Sequence, residues 1–553
     1  MAEASTQSID LAVADFFSGR CGLEGDDRRL FYTIMVSLSA ALRDGHTCLR
    51  CTKEQQEILL RTTVVSSDGS GPLVLSYGRL YFSRYFDYET SLTNRLADLC
   101  RETVAVSPPD ELFAQLFPTA TTGDDMQLCA ARMCATRRLG IITGGPGTGK
   151  TTVVVRICAL LQSFHNGGLR IALAAPTGKG ATRLQELVRH QIQSLPISDR
   201  IKPAMVDTAH TIHRLLGASR HATRFRHHAG NPLPYDLVVV DEASMIDLAL
   251  MAKLVDALGA RTQLILLGDK DQLASVESGA VLAECASALP DNLVELRNSY
   301  RFNEEIRRLA QAINNGAEDD VCAILGDNQS KSCLLAEERW FEQVVERYAA
   351  CMSAAHAIGK PSEYPALFQR FSEFRVLCAL RRGPYGVAGL NQRVERALSS
   401  RGHDIDPGGW YVGRPVLITR NDYQLNLFNG DIGLCLPDPE HDGELSVWFE
   451  TSAGGYVGYP PSRLPAHETA WAMTVHKSQG TEFSRVVVVL PAEDSRVLCR
   501  ELLYTAVTRA RTQVIIVGPE PIIRTTVCRR TVRTSGVGER LRALQNKQGV
   551  HRL

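Results

Sequence analysis

Residues 144–152 read GGPGTGKTT, and the rest of the chain is interpreted around this stretch. The apolar run at 139–142 predicts a buried strand before it, and the apolar run at 153–161 predicts a helix after it. This context suits the phosphate-binding pattern G-x-x-x-x-G-K-[ST], in which glycine N–H groups approach phosphate oxygens, Lys150 reaches the β- and γ-phosphates, and Thr151 ligates Mg²⁺. We therefore predict a nucleoside triphosphate site formed by Gly144, Gly145, Pro146, Gly147, Thr148, Gly149, Lys150, Thr151 and Thr152.

Length and composition limit the classes of protein to consider. At 553 residues the chain should contain about three or four domains. Its formal net charge is zero, so any nucleic-acid binding must depend on local basic patches. No apolar run has the length of a membrane span and the N-terminus lacks signal-peptide features, so we expect a cytoplasmic protein with reduced cysteines. Cys48 and Cys51 form a lone C-x-x-C, for which buried free thiols are a better interpretation than a metal site.

The hydrophobic pattern divides the chain into an N-terminal module and two α/β lobes. Residues 1–115 have amphipathic helical spacing and no catalytic pattern, which favours a structural or docking domain. Residues 116–335 are predicted to form the first lobe, and 336–407 together with 465–553 the second. Glycine-rich short strands at 408–464 predict a small β-barrel inserted into the second lobe.

Acidic, amide and cationic residues complete a hydrolysis site. The apolar strand at 237–240 ends in Asp241 and Glu242, where Asp241 can hold Mg²⁺ opposite Thr151 and Glu242 can orient the attacking water. Together with the phosphate loop, this predicts nucleotide hydrolysis. Three further residues are candidates for contacting the γ-phosphate: Gln272 at a strand edge, Arg301 after a turn, and Arg509 on a helix with Arg511 that leads to the last strand.

Several polar residues fall at strand ends on the predicted phosphate-loop edge. Because parallel strands end at one crevice, Thr177 and Lys179 should lie beside the phosphate loop. His210 lies near another turn, where a histidine is usually structural unless nucleic acid covers the edge. The segment 217–235 is polar and basic around Phe225, and is either a solvated loop or an insertion that contacts a nucleic-acid backbone or wedges a duplex.

Eight blocks occur in an order that resembles superfamily 1 helicases: Gln127, GPGTGKTT, APTGKGA, VVVDEAS, GDKDQL, SYRF, TVHKSQGTEF and YTAVTRA. The match extends from about residue 120 to 515. Within that superfamily, the chain resembles the RecD family, the α subunits of bacterial RecBCD enzymes (exodeoxyribonuclease V). The stretches that carry this resemblance are TIHRLLG, FNGDIG, HKSQGTEF and PLVLSYGRLYFSRYFDYE.

The resemblance implies an architecture and a direction of movement. It implies two RecA-like lobes, 1A and 2A, with ATP between them, a small 1B element at 217–235 and an SH3-like 2B domain at 408–464. It also implies 5′→3′ movement on single-stranded DNA. Arg301 and Arg509 match the arginine-finger positions and Gln127 the adenine contact. The residues implied to touch DNA are Thr177, Lys179, Thr208, His210, Thr474, His476 and Ser478.

The resemblance also implies partners, and it leaves alternatives open. A RecB-like β subunit and a RecC-like γ subunit would complete a heterotrimer, with residues 1–115 docked on the γ subunit. No lysine here follows an acidic residue at the spacing of a common metal-nuclease core, so we expect a partner to hold the nuclease centre. One alternative is a stand-alone RecD-like helicase. The other is a scaffold subunit with a degenerate motor, and the intact Lys150, Asp241 and Glu242 argue against it.

Overall fold

The structure is a computed structural model, which describes residues 6–104, 107–118, 125–218, 224–275, 277–297, 303–327, 329–336, 338–422, 424–451 and 454–549. Arg301 lies outside these residues. No helix in this described part is long and apolar enough to cross a membrane.

The N-terminal module contains a small sheet as well as helices. Its elements are α1 (Ser8–Ser18), α2 (Gly25–Arg43), β1 (Leu49–Arg50), α3 (Lys53–Leu60), β2 (Val65–Ser66), β3 (Leu73–Ser76), β4 (Arg79–Phe82) and α4 (Ser83–Arg101). The strands form a sheet of order β1-β4-β3-β2, in which β3 and β4 occupy the short strand-like stretch that the apolar residues at 73–75 and 80–82 predict within the otherwise helical domain. Burial raises the pKa of the Cys48 thiol to about 12 and that of Cys51 to about 11, as for unreactive buried thiols.

The first lobe is a parallel six-stranded sheet with helices on both faces. Its elements are α5 (Asp110–Leu116), α6 (Met126–Thr136), β5 (Leu139–Gly144), α7 (Lys150–Phe164), β6 (Ile171–Ala175), α8 (Gly178–Ser194), β7 (Ala209–Thr211), α9 (Ile212–Leu215), β8 (Leu237–Val240), α10 (Leu248–Asp256), β9 (Gln263–Gly268), α11 (Val281–Ala288) and β10 (Leu293–Leu296). The strand order is β10-β5-β9-β8-β6-β7, so β5 with the phosphate loop lies inside the sheet. Strands this deep are apolar on both faces, which explains their continuous hydrophobic runs.

The second lobe is a smaller parallel sheet of order β11-β20-β19-β12-β18. Up to its insertion it contains α12 (Glu304–Asn315), α13 (Glu318–Leu325), β11 (Cys333–Leu335), α14 (Trp340–Ala357), α15 (Tyr364–Ser372), β12 (Phe374–Cys378) and α16 (Val387–Ser400). The insertion is an antiparallel sheet of β13 (Pro415–Ile418), β14 (Ile432–Pro437), β15 (Leu445–Glu450), β16 (Tyr456–Tyr459) and β17 (His467–Thr469). After it follow β18 (Ala472–Thr474), β19 (Phe483–Val489), α17 (Arg500–Val507), β20 (Ala510–Val517), α18 (Glu520–Cys528) and α19 (Val537–Gly549).

Two lobe boundaries differ from those predicted. The sequence placed residues up to 335 in the first lobe, but β11 pairs with β20, and α12 and α13 pack on α17 and α18 of the second lobe. The change of lobe therefore lies between β10 and α12, because the hydrophobic faces of α12 and β11 are buried by the second sheet.

The segment 537–549 was also assigned to the wrong lobe. Helix α19 packs against α4 and α11, and its Val537 and Leu541 are buried in the core of the first lobe. Helix α4, assigned to the N-terminal domain, contributes Leu92 and Leu96 to the same core. The chain thus returns from the second lobe to close the first one.

Candidate nucleotide site between the two lobes

The phosphate loop lies between the end of β5 and the start of α7, as its sequence requires. Gly147 and Gly149 have φ angles of 78° and 84°, a region that side chains with a Cβ rarely adopt. The Lys150 ammonium donates hydrogen bonds to the carbonyl oxygens of Gly144 (2.5 Å) and Gly145 (3.0 Å). This arrangement holds its charge over the loop, where a polyphosphate would be bound.

The two predicted magnesium ligands are adjacent. The Thr151 hydroxyl donates to an Asp241 carboxylate oxygen at 3.3 Å, joining the first turn of α7 to the end of β8. Burial raises the pKa of Asp241 and the neighbouring Glu242 raises it further, while Lys150 and Arg183 oppose the rise. A hydroxyl and a buried carboxylate are hard oxygen ligands of the kind that Mg²⁺ takes together with phosphate oxygens.

Glu242 has a strained backbone. Its φ of 53° and ψ of 38° place a non-glycine residue in the left-handed region, and its N–H donates to Asp241 Oδ1 at 2.8 Å. Such a conformation costs on the order of 1–3 kcal/mol and persists only where the surroundings impose it. Glu242, the residue predicted to orient water, lines the pocket together with Lys150 and Asp241.

Arg509 brings the second lobe into this pocket. It is 2% exposed, and its guanidinium donates to the carbonyl oxygens of Thr505 and Thr481, both at 3.1 Å. Its remaining terminal nitrogen has no hydrogen-bond partner among the described residues. Burial lowers the pKa of Arg509, opposed by Glu242 and Glu482. The sequence placed Arg509 and Arg511 on a helix, but α17 ends at Val507, so Arg509 lies in the following turn and Arg511 in β20.

Gln272 is held by Asp269 rather than extended into solvent. Its amide nitrogen donates to Asp269 Oδ2 at 3.0 Å, and the same oxygen accepts a 3.0 Å hydrogen bond from the Tyr504 hydroxyl of the second lobe. Burial raises the pKa of Asp269, and Lys150 opposes the rise. The Gln272 amide oxygen has no partner within the described part of the chain. The predicted sensor residue is therefore linked to the second lobe through Asp269.

Residues of both lobes line one pocket of about 380 Å³. Gln127 lies at one side near Gly149, and the Gln191 amide donates to the Thr152 hydroxyl at 2.8 Å. Lys150, Asp241 and the other predicted catalytic residues that the structure describes also line it, with Arg509 opposite. The pocket has the size and the mixed polar lining of a nucleotide site.

The predicted DNA contacts are distributed unevenly between surface and interior. Thr208 is exposed, while Thr177 and His210 are half-buried, and Thr177 also caps α8 by accepting from the Gly180 N–H at 3.1 Å. Burial lowers the pKa of Lys179 to about 8, opposed by Asp431 of the inserted domain.

In the second lobe, Thr474 is buried and His476 is half-buried, with a pKa lowered by burial and by Arg533. Ser478 is fully buried, and its hydroxyl donates to the Val475 carbonyl at 2.7 Å. The prediction that Ser478 touches DNA is not met in this arrangement, because its side chain supports the turn from inside.

The structure of the basic segment 217–235 does not fit the interpretation in which Phe225 wedges a duplex. The Phe225 ring packs against the core of the first lobe, 5.7 Å from the His213 ring, and the Lys253 ammonium lies 5.3 Å from the Phe225 centroid. Phe225 is therefore not presented as a wedge in this arrangement.

Two site residues had no local signal in the sequence. Arg183, on α8, and Tyr504, on α17, each contact the opposite lobe across the pocket. Their partners are remote in sequence, so no motif spacing indicates these contacts.

The pocket lies between two parallel-sheet lobes. One lobe contributes a phosphate loop and an acidic pair and the other contributes an arginine, and this combination defines the class of protein. The chain is an ATP-dependent DNA helicase, and family models agree with this in three parts of the chain. They match an AAA domain at 127–278, an ATP-dependent RecD-like DNA helicase SH3 domain at 390–449 and a UvrD-like helicase C-terminal domain at 469–517. The chain belongs to the RecD family.

Three curated relatives illustrate the similarity. RecBCD enzyme subunit RecD of Mycolicibacterium smegmatis is 42% identical over 483 residues, covering 86% of this chain and 84% of the relative. The protein of the same name from Haemophilus influenzae is 35% identical, covering 86% and 82%. The ATP-dependent RecD2 DNA helicase of Deinococcus radiodurans is 30% identical, covering 97% of this chain and 72% of the relative.

Proposed function

We propose that this chain is the 5′→3′ single-stranded DNA motor of a RecBCD-type helicase–nuclease that processes double-strand DNA ends for recombinational repair. The observation that supports the proposal best is the position of Arg509, which reaches from the second lobe into the pocket that holds Lys150 and Asp241. ATP binding would draw the lobes together and hydrolysis would release them, so each cycle moves the DNA strand. Arg301 would supply a second arginine finger.

Magnesium would be bound by Thr151 and Asp241 together with the phosphates of ATP. Their 3.3 Å contact brings together a hydroxyl and a carboxylate that suit this ion. The ion would neutralise charge that develops on the phosphates. Glu242 would orient the attacking water, Gln272 would sense the γ-phosphate through its link to Asp269, and Gln127 would contact the adenine edge.

The DNA strand would lie along the sheet edges next to the nucleotide pocket. Lobe 1A would contribute Thr177, Lys179, Thr208 and His210, and lobe 2A Thr474 and His476, while 217–235 would act as the 1B element and 408–464 as the SH3-like 2B domain. A second cavity, of about 970 Å³, adjoins Thr474 and is lined by Arg381 and Arg382, which suits passage of a phosphate backbone.

Partner subunits would complete the assembly. In α1, Ile9 and Phe16 lie seven residues apart on one face and are 57% and 52% exposed, and this face would dock on a RecC-like γ subunit, with a RecB-like β subunit in the same heterotrimer. The nuclease centre would belong to a partner. A stand-alone RecD-like helicase is the second candidate, and the higher coverage of the RecD subunits (84% and 82%) than of RecD2 (72%) favours the subunit.

Strand separation on duplexes with either a 5′ or a 3′ single-stranded tail tests the direction of movement. We expect the full chain to unwind the 5′-tailed substrate with ATP and Mg²⁺, and Lys150→Gln to unwind neither. Unwinding of the 3′-tailed duplex alone would refute the proposed direction.

Two further measurements test the partners. Incubation of the purified chain with linear DNA should release no nucleotides. Gel filtration should show co-elution with the β and γ subunits, whereas full helicase activity in a monomeric chain, unchanged by added partners, would favour the stand-alone helicase.

A further inference from the structure

Arg183 bridges the two lobes at the edge of the nucleotide pocket. It projects from α8 of the first lobe and donates to the carbonyl oxygen of Gly480 at 3.0 Å and to Glu482 Oε1 at 2.6 Å, both in the second lobe. A single guanidinium thus contacts two points of the turn at residues 476–482, which also carries His476. Because the guanidinium is a planar fork of N–H donors, these contacts restrain the orientation of the turn relative to α8 as well as its distance from it.

Glu482 is shared between arginines of opposite lobes. Its side chain is only 4% exposed, and its second oxygen lies 3.2 Å from Arg511 of the second lobe. A buried carboxylate is costly without cationic partners, so loss of Arg183 would leave its charge only partly compensated. The position of this turn therefore depends on where the Arg183 guanidinium lies.

The same guanidinium also faces the hydrolysis site. The pKa of Arg183 is raised overall. Burial acts to lower it, but the nearby carboxylates of Glu482, Glu242 and Asp241 outweigh burial. Arg183 lines the pocket together with the phosphate loop. A triphosphate bound in this pocket would be a second strong anion near this cation, in competition with Glu482.

We propose that Arg183 is a positioning residue that couples nucleotide occupancy to DNA affinity through Glu482. When the pocket contains a triphosphate, Arg183 shifts its charge toward the phosphates and loosens its hold on the turn. When the pocket contains a diphosphate, Arg183 holds Gly480 and Glu482 as seen here. The turn thereby changes its contact with the DNA strand in step with hydrolysis.

The test measures DNA affinity in two nucleotide states. Fluorescence anisotropy of a labelled oligo-dT gives the Kd of the full chain with the non-hydrolysable analogue AMP-PNP and with ADP. For the unmodified chain we expect the two values to differ about 5- to 150-fold, as is usual for coupled sites. In Arg183→Gln the ratio should fall to within about twofold of unity, and Arg183→Lys, which lacks the fork, should retain an intermediate ratio.

The matched control and a double variant separate coupling from simple structural support. Arg511→Gln removes another partner of Glu482, one that does not line the pocket, and should keep the ratio within about threefold. The ratio of Kd values for the double variant Arg183→Gln/Glu482→Gln should be within about twofold of the ratio for Arg183→Gln, because both substitutions break the same contact between Arg183 and Glu482. A merely structural role predicts a lower Tm for Arg183→Gln with an unchanged ratio, and that result would overturn the proposal.

The inference rests on the proposed DNA path along the turn at 476–482, and the experiment distinguishes the two failures. If the unmodified chain binds oligo-dT in neither nucleotide state, the DNA path is wrong. If it binds with a nucleotide-dependent Kd that persists in Arg183→Gln, only the role of Arg183 is wrong.

Discussion

The hydroxyl of Tyr504 donates a 3.0 Å hydrogen bond to Asp269, and this contact joins the second lobe to the residue that holds Gln272. A hydrogen bond to a charged group contributes about 1.5–3 kcal/mol. We therefore expect Tyr504→Phe to lower the kcat for ATP about 10- to 100-fold, because lobe closure no longer aligns Gln272. The steady-state ATPase rate with DNA measures this. Tyr459→Phe, which removes a hydroxyl bonded to Leu425 in the inserted domain, is the control and should change kcat little.

Replacement of Arg509 should affect turnover more than binding. Arg509→Ala removes the cation that the second lobe contributes near Glu242, and kcat should fall by about 10³ or more, as for arginine fingers. The Kd for ATP should change much less, because the phosphate loop is intact. Single-turnover hydrolysis and nucleotide binding measure the two effects, with Arg511→Ala as control. Equal losses in binding and turnover would contradict the assigned role.

The return of the chain to the first lobe predicts a pH dependence of stability. Glu284 on α11 accepts hydrogen bonds from the Gly538 N–H (2.9 Å) and the Ser535 hydroxyl (3.1 Å), and burial raises its pKa from 4.5 to about 7. Between these pH values the folded chain holds a proton that the unfolded chain has lost. The contribution of Glu284 to the free energy of unfolding therefore falls as pH rises from about 4.5 to about 7, and stays low above that.

Glu284→Gln should remove this dependence. Between about pH 4.5 and about pH 7, the free energy of unfolding of this variant should increase progressively relative to that of the unmodified chain. The difference should reach at most about 3 kcal/mol near pH 8. Urea unfolding at several pH values measures the difference. The exposed carboxyl of Glu277 gives the control variant Glu277→Gln, and a difference that did not vary with pH would contradict the argument.

Leu541 tests the assignment of α19 to the first lobe. It is fully buried in the core that includes Leu92 and Leu96 of α4. Leu541→Ala should lower the free energy of unfolding by about 2–5 kcal/mol. The control variant Leu544→Ala, at a half-buried position of the same helix, should lower it much less. Hydrogen exchange should localise the loss to α4 and α11. Exchange that increased only in the second lobe would show the assignment to be wrong.

The sequence predicted the parts of this molecule that local spacing encodes. The phosphate loop, the strand before Asp241 and the turn around His476 each depend on consecutive residues whose pattern is visible in isolation. Lobe membership is different, because nothing local in the sequence of α19 or of the short strand β11 shows that α19 packs on α4 and α11 or that β11 pairs with β20. The partners of Arg183 and Tyr504 are likewise set by tertiary packing, and no local spacing relates Arg183 to Glu482.

The return of α19 also has a consequence for biosynthesis. The first lobe is translated long before Val537 and Leu541, which complete its core. While the ribosome makes the second lobe, the parts of α4 and α11 that α19 later covers remain exposed. Val537 and Leu541 can fill their places against α4 and α11 only after α19 has been translated, so the first lobe reaches its full stability last.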